Sequence, residues 1–263
     1  MSDWKKELED IFRLKEMGAM TEEEFESEKK SILSRRNQSS PNEKKKLSIG
    51  DQIGNYEILS LIGEGGMGKV YLGRHKESAF AQAQGNVAIK LMHPQYAEND
   101  GFRERFIQEA ALGKKLHHPN IAKVHELITS SYLGLIMEYV EGKELSSFLS
   151  KAGLPPQKVV TCLTPIASAL DHLHSKGIIH RDMKPENVKI KPDGSPVILD
   201  FGIAKEQRAG QGMTSTGTAM GTIAYMAPEQ MNAKSVTGAS DQYSLSMMAY
   251  ELLSGAYPWE AED

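Results

Sequence analysis

The run His180-Arg181-Asp182-Met183-Lys184-Pro185-Glu186-Asn187, followed by Asp200-Phe201-Gly202, constrains this chain more than any other stretch. It gathers Asp182, Lys184, Asn187 and Asp200 into one short span. Two acids and an amide can hold a metal and orient a hydroxyl, and a lysine can face a phosphate. Phosphoryl transfer needs this set, because its chemistry is mostly positioning and neutralisation of charge. Whatever the fold, it has to bring these side chains together.

The chain has 263 residues, enough for a two-lobed domain and a small extension. At 40% hydrophobic and 25% charged it has an ordinary globular balance. A net charge of -4 implies no general affinity for nucleic acid. The single cysteine, Cys162, rules out an intramolecular disulfide and fits a reducing compartment. Its apolar neighbours Val159, Val160, Leu163 and Ile166 make it a core thiol. The N-terminus lacks the apolar run of a signal peptide. No stretch approaches the roughly twenty apolar residues that span a bilayer. The expected location is the cytoplasm.

Residues 1–36 read as a helical hairpin. Leu8, Ile11, Phe12 and Met17 have helical spacing, Gly18 is a stop, and Phe25, Ile32 and Leu33 stripe the second helix. Thr21 and Glu24 have the capping-box spacing that opens that helix. So small a pair has to pack on a copy of itself, on the rest of the chain or on a partner. The stretch from Leu14 to Glu26 resembles the SHOCT module, a short helical hairpin, although that module usually sits at a C-terminal end. Residues 37–52, with Pro41 and Lys44-Lys45-Lys46, read as a flexible linker. Strand-like runs follow at 56–62, 68–74, 86–92, 121–128 and 133–139, with a helix over 102–116 among them. Helices then dominate, at 144–150, 156–176 and 238–253.

The run from His180 and the Asp200 triplet resemble, residue for residue, the catalytic loop and metal-binding triplet of bacterial-type serine/threonine protein kinases. The resemblance implies an α+β, two-lobed fold over residues 53–263, with a small β-rich N-lobe and a helical C-lobe, preceded by the hairpin. Gly63-Glu-Gly-Gly-Met-Gly-Lys-Val70 fits the glycine-rich loop of that family. It also fits a dinucleotide fingerprint and nearly fits a P-loop, but both of those need a helix after the glycines, and a strand is expected from Gly68. Glycines at 63, 65 and 68 would let the backbone approach phosphates. Lys90, in Val87-Ala-Ile-Lys90, would then bridge the phosphates of ATP and pair with Glu109, which is preferred over Glu104. Val70 and Ala88 would cover adenine, Met137 is the gatekeeper, and Glu138 to Val140 form the hinge. Lys189 stands where the family usually has an apolar floor; its stem can still pack on the base.

The resemblance makes Asp182 the residue that orients the substrate hydroxyl, Lys184 the cation on the transferred phosphate, and Asn187 and Asp200 the magnesium ligands. It expects Asp241 to tie the catalytic loop's backbone. Lys184 and Thr222 follow the serine/threonine pattern, so the partners implied are proteins with Ser or Thr acceptors. Between Gly202 and Ala227, Thr214 and Thr216 are the expected autophosphorylation sites, with Arg181 as a phosphate partner. The hairpin suggests self-association. The sequence stops after Tyr257-Pro-Trp259, so the C-lobe is expected to lack its last helices, to leave Glu229 unpaired, and to uncover Met247, Met248, Leu252 and Leu253. This leaves an alternative to an active, non-specific kinase: a catalytically impaired, truncated one that acts as an ATP-binding or scaffolding module.

Overall fold

The computed structural model describes residues 3–36, 47–199, 223–231 and 236–258. The chain forms two compact units, one of Met1–Lys115 with Lys123–Tyr139, the other of Leu116–Ala122 with Val140–Asp263.

The first unit begins with two helices, α1 (Asp3–Glu16) and α2 (Glu22–Arg36). Gly18, at φ +65°, reverses the chain between them. The capping box forms: the Thr21 N–H donates to Glu24 Oε2 at 2.6 Å, and the Glu24 N–H donates to Thr21 Oγ1 at 3.3 Å. The apolar stripe is partly as expected. Ile11, Phe25 and Ile32 are buried and so are Leu14, Ala19 and Met20, whereas Phe12 and Leu33 are exposed. Phe12 instead lies edge-on to Phe25, with ring centroids 5.0 Å apart.

A six-stranded antiparallel sheet follows: β1 (Gln52–Ile53), β2 (Tyr56–Gly65), β3 (Gly68–His75), β4 (Asn86–Met92), β5 (Val124–Ile128) and β6 (Gly134–Glu138), in the order β1-β2-β3-β4-β6-β5. Period-two alternation sorts its faces. Tyr56, Ile58, Tyr71, Val87, Ile89, Leu91, Ile128 and Ile136 form the buried side. The sequence reading missed helix α3 (Ser78–Gln84), an insertion between β3 and β4 with no buried residue and hence no apolar stripe. After the short α4 (Pro94–Ala97) comes α5 (Asp100–Lys114), capped by Asn99 Oδ1, which accepts from the Phe102 N–H at 2.9 Å.

The second unit is built on α6 (Pro156–Ser175), whose residues Val159, Leu163, Ile166, Leu170 and Leu173 make one helical stripe. It packs on the last helix, α8 (Gly238–Ser254), which opens with a Thr237–Ser240 capping box and closes at Gly255, φ +75°. The short α7 (Pro228–Met231) precedes it. Strands β7 (Lys143–Glu144), β8 (Val188–Ile190) and β9 (Pro196–Ile198) make a small antiparallel sheet. The helix expected at 144–150 is only a 3-10 turn, Leu145–Phe148, because the chain before it pairs with β8 through Lys143 and Ile190. The strand expected from Ile121 begins at Val124; Ile121 bridges Ile198 within the second unit.

Two expectations about the second unit are corrected. Met247, Met248 and Leu252 are 7%, 0% and 1% exposed; of the four, only Leu253, at 45%, faces solvent. Glu229 is half-buried rather than buried, and it accepts a hydrogen bond from Ser240 Oγ at 2.5 Å, which holds its carboxyl below the usual range. Among the described residues, no helix is long and apolar enough to cross a membrane.

Candidate active site

The glycine run is a tight hairpin between β2 and β3, with Gly65 opposite Gly68. No helix follows it, which removes the dinucleotide and P-loop alternatives. The glycines are not equivalent. A Cβ on Gly68 would lie 2.0 Å from the Leu91 carbonyl oxygen, so strand packing alone demands glycine there. A Cβ on Gly65 would meet nothing within 4 Å, so internal packing gives no reason for glycine at that position.

Register places the other first-unit candidates on one face. Val70 pairs with Lys90, Lys90 with Leu135, and Ala88 with Met137. Directly opposite residues of antiparallel strands share a side, so Val70, Ala88, Lys90 and Met137 lie on the face opposite the buried Val87, Ile89 and Leu91. Glu138 ends β6; its N–H donates to the Lys123 carbonyl at 2.8 Å. Glu109 is half-buried on α5, beside the buried run of Phe102, Phe106 and Ala110. The competing acid, Glu104, is exposed and paired with Arg13 of α1 at 2.8 Å.

The second-unit candidates sit in the loop between α6 and β8. Arg181 is the only non-glycine residue of positive φ among the described residues, at +63°. A strained residue persists only where its surroundings over-determine it, and they do so here. The Asp241 carboxylate, fully buried on α8, accepts from the His180 N–H and the Arg181 N–H, both at 2.8 Å. His174 Nε2 reaches the same carboxylate at 2.7 Å, and Gln230 Nε2 donates to the Arg181 carbonyl at 2.9 Å. The tie expected of Asp241 is therefore present. His174, on α6, is a third anchor to which the sequence analysis assigns no role.

Beyond Arg181, the Asn187 side-chain NH2 donates to the Asp182 carbonyl at 2.7 Å and to Asp182 Oδ2 at 2.8 Å. With its nitrogen committed, Asn187 offers its amide oxygen, the hard donor that magnesium takes. Lys184 is half-buried in the same loop. Lys189 donates from Nζ to the Val140 carbonyl at 3.0 Å, so its ammonium is tethered to the hinge segment rather than directed to solvent. Asp200, Thr214, Thr216 and Thr222 lie outside the described residues. Cys162 is half-buried rather than in the core, and its neighbour Val160 is exposed; burial still pushes its thiol up to about 11, which keeps it protonated at neutral pH.

One residue of the glycine loop's surroundings escaped the sequence reading. His93, just after β4, donates its N–H to the Met67 carbonyl at 2.9 Å, and its Nε2 lies 3.0 Å from the Gly65 carbonyl. A carbonyl only accepts, so Nε2 carries the proton. A histidine three residues after Lys90 gives no sequence signal of this.

The sequence profile of the protein kinase domain matches residues 56–263. The chain is 38% identical over 216 residues to the serine/threonine-protein kinase PknH of Mycobacterium tuberculosis (strain ATCC 25618 / H37Rv), covering 81% of this chain and 34% of that protein. It is 38% identical over 217 residues to PknD of M. tuberculosis (strain CDC 1551 / Oshkosh), covering 81% and 32%. It is 37% identical over 217 residues to PrkC of Bacillus subtilis (strain 168), covering 81% and 33%. The chain thus spans about a third of the length of these curated relatives.

Proposed function

This chain belongs to the protein kinase domain family, and on that premise we propose that it transfers the γ-phosphate of ATP to serine or threonine hydroxyls of proteins. The observation that carries the reading is the Asp182–Asn187 pair on a backbone locked to Asp241. In this reading Asp182 orients the acceptor hydroxyl and takes its proton, and Lys184 faces the transferred phosphate. Asn187 and Asp200 would hold magnesium, which when bound neutralises phosphate charge. Lys90, partnered by Glu109, holds the α- and β-phosphates. Val70, Ala88 and Met137 of the first unit and the stem of Lys189 of the second are the proposed adenine contacts, with Glu138 and Val140 as the hinge. Thr222 positions the acceptor. Thr214 and Thr216 are the proposed autophosphorylation sites, and the reaction is placed in the cytoplasm.

The hairpin's apolar residues Ile11, Leu14, Phe25 and Ile32 are buried within the unit. That favours packing on its own chain over self-association. The test is transfer of labelled phosphate from magnesium ATP to the protein itself and to a basic substrate, with Asp182→Asn and Lys90→Met as controls. Transfer lost in both variants is the expected result. A folded wild type that binds ATP without transfer would favour the scaffolding module instead. Mapping of modified residues would check Thr214 and Thr216, and equal modification in Asp182→Asn would remove self-phosphorylation.

A further inference from the structure

The hairpin grips α5, the helix that carries Glu109, at both ends. Near the helix start, Arg103 Nε meets Asp10 Oδ2 at 2.5 Å, with the two side chains only 10% and 13% exposed. Arg103 Nη2 also donates to the Thr129 carbonyl at 2.6 Å, so α1 and the end of the sheet share one guanidinium. Next to it, Glu104 pairs with Arg13. In the last turn, Lys114 Nζ lies 2.9 and 3.0 Å from the two oxygens of Glu24. Lys115 Nζ donates to the Met17 carbonyl at 2.8 Å.

A helix of this length spans about 22 Å, and Glu109 lies between the two grips. Fixing both ends fixes the translation of the helix and its rotation about its own axis, and so the direction of every side chain between them. Breaking a buried ion pair on one side leaves an uncompensated charge, which makes Asp10 an effective lever on the helix.

We propose that the hairpin is a clamp acting in cis on α5, and that Asp10 and Glu24 are positioning residues for phosphoryl transfer that act through it. The positioning role rests on the kinase reading; the clamp itself does not. The test uses the full chain with Asp10→Asn and Glu24→Gln combined. Glu22→Gln serves as the control, because Glu22 pairs with Lys15 inside the hairpin, at 2.8 Å.

Amide hydrogen exchange over 100–114 should quicken on the order of tenfold in the double variant and stay unchanged in the control. Phosphorylation kcat should fall on the order of tenfold, with KM for the protein substrate little changed. Unchanged exchange over 100–114, or equal quickening across the whole chain, overturns the clamp. Quickened exchange with kcat unchanged or raised overturns the positioning role. A wild type that neither binds ATP nor transfers phosphate counts against the kinase reading, and is told apart because the exchange contrast needs no turnover. Should the double variant fail to fold, Glu24→Gln alone carries the same comparison, since glutamine can still accept from the Thr21 N–H.

Discussion

Gly65 and Gly68 should answer to alanine in opposite ways. At Gly68 the new Cβ would lie 2.0 Å from the Leu91 oxygen, 2.9 Å from its carbonyl carbon and 3.1 Å from Met92 Cα. All three atoms are backbone and cannot swing aside. Non-bonded heavy atoms rest about 3.5 Å apart, so β3 and β4 must separate by roughly 1.5 Å where Gly68 opposes Met92. Overpacking of this kind costs about 1–3 kcal/mol, and a broken ladder hydrogen bond adds about 1 kcal/mol. Taking about 3 kcal/mol in all, and about 2–4 °C per kcal/mol for a chain of this size, Gly68→Ala should lower Tm by about 6–12 °C without nucleotide. Gly65→Ala meets open space at a φ outside the left-handed region. Its nucleotide-free Tm should shift by less than about 2 °C. If the loop cradles phosphates, however, ATP affinity should fall on the order of tenfold. Melting without and with magnesium ATP, backed by direct titration of binding, reads both effects. Equal loss of Tm in the two variants would refute the packing argument. Unchanged ATP affinity in Gly65→Ala would refute the phosphate role of this loop.

Replacing Asp241 by alanine removes the acceptor of two backbone N–H groups and of His174, and leaves the strained Arg181 without its anchor. Charged hydrogen bonds are worth about 1.5–3 kcal/mol each, so denaturant unfolding should show a loss of about 4 kcal/mol; under about 1 kcal/mol would disprove the anchoring. His93→Ala frees the Gly65 carbonyl, and should weaken ATP binding about fivefold while leaving adenosine binding alone; equal weakening of both would mean that His93 does not act through the phosphate loop. The Glu24 carboxyl is raised by burial, but the hydrogen bonds from Lys114 and Thr21 outweigh this and hold it below its ordinary value. A depressed carboxylate stabilises above its unfolded pKa and loses that contribution as pH falls through its folded one. Melting in steps below pH about 4.5 should therefore show a steeper acid loss in wild type than in Glu24→Gln, and identical slopes would discount the pair.

What the sequence made legible was local. The strand at 86–92 was readable from its residue types, and the observed register then aligned Lys90 with Val70 and Ala88 with Met137. The capping-box spacing of Thr21 and Glu24 was also readable, because both partners lie within one turn. The Asp241 tie, which no local pattern predicts, came from resemblance. Hidden were interactions whose partners lie far apart or belong to no motif. His174 meets Asp241 across 67 positions, and His93 meets Gly65 across 28. Helix α3 was missed because it buries nothing, and periodicity registers only a face that is buried. The 3-10 turn at Leu145–Phe148 replaced a helix because strand pairing overrode local propensity.

Glu24 joins these two kinds of interaction. The same carboxylate accepts the Thr21 N–H that starts α2 and receives the Lys114 ammonium at the end of α5. Local order in the hairpin and its hold on the lobe therefore share one side chain. When α2 is formed, Glu24 is already turned toward the position that Lys114 takes, and the pair loses less side-chain entropy on docking. When Lys114 is absent, the cap keeps only an exposed, weaker version of its bond. Helices this short are marginal alone, so formation of the hairpin and seating of α5 should stabilise each other. A signal that melts the hairpin would then reach Glu109 by loosening both grips on α5, without touching the nucleotide loop.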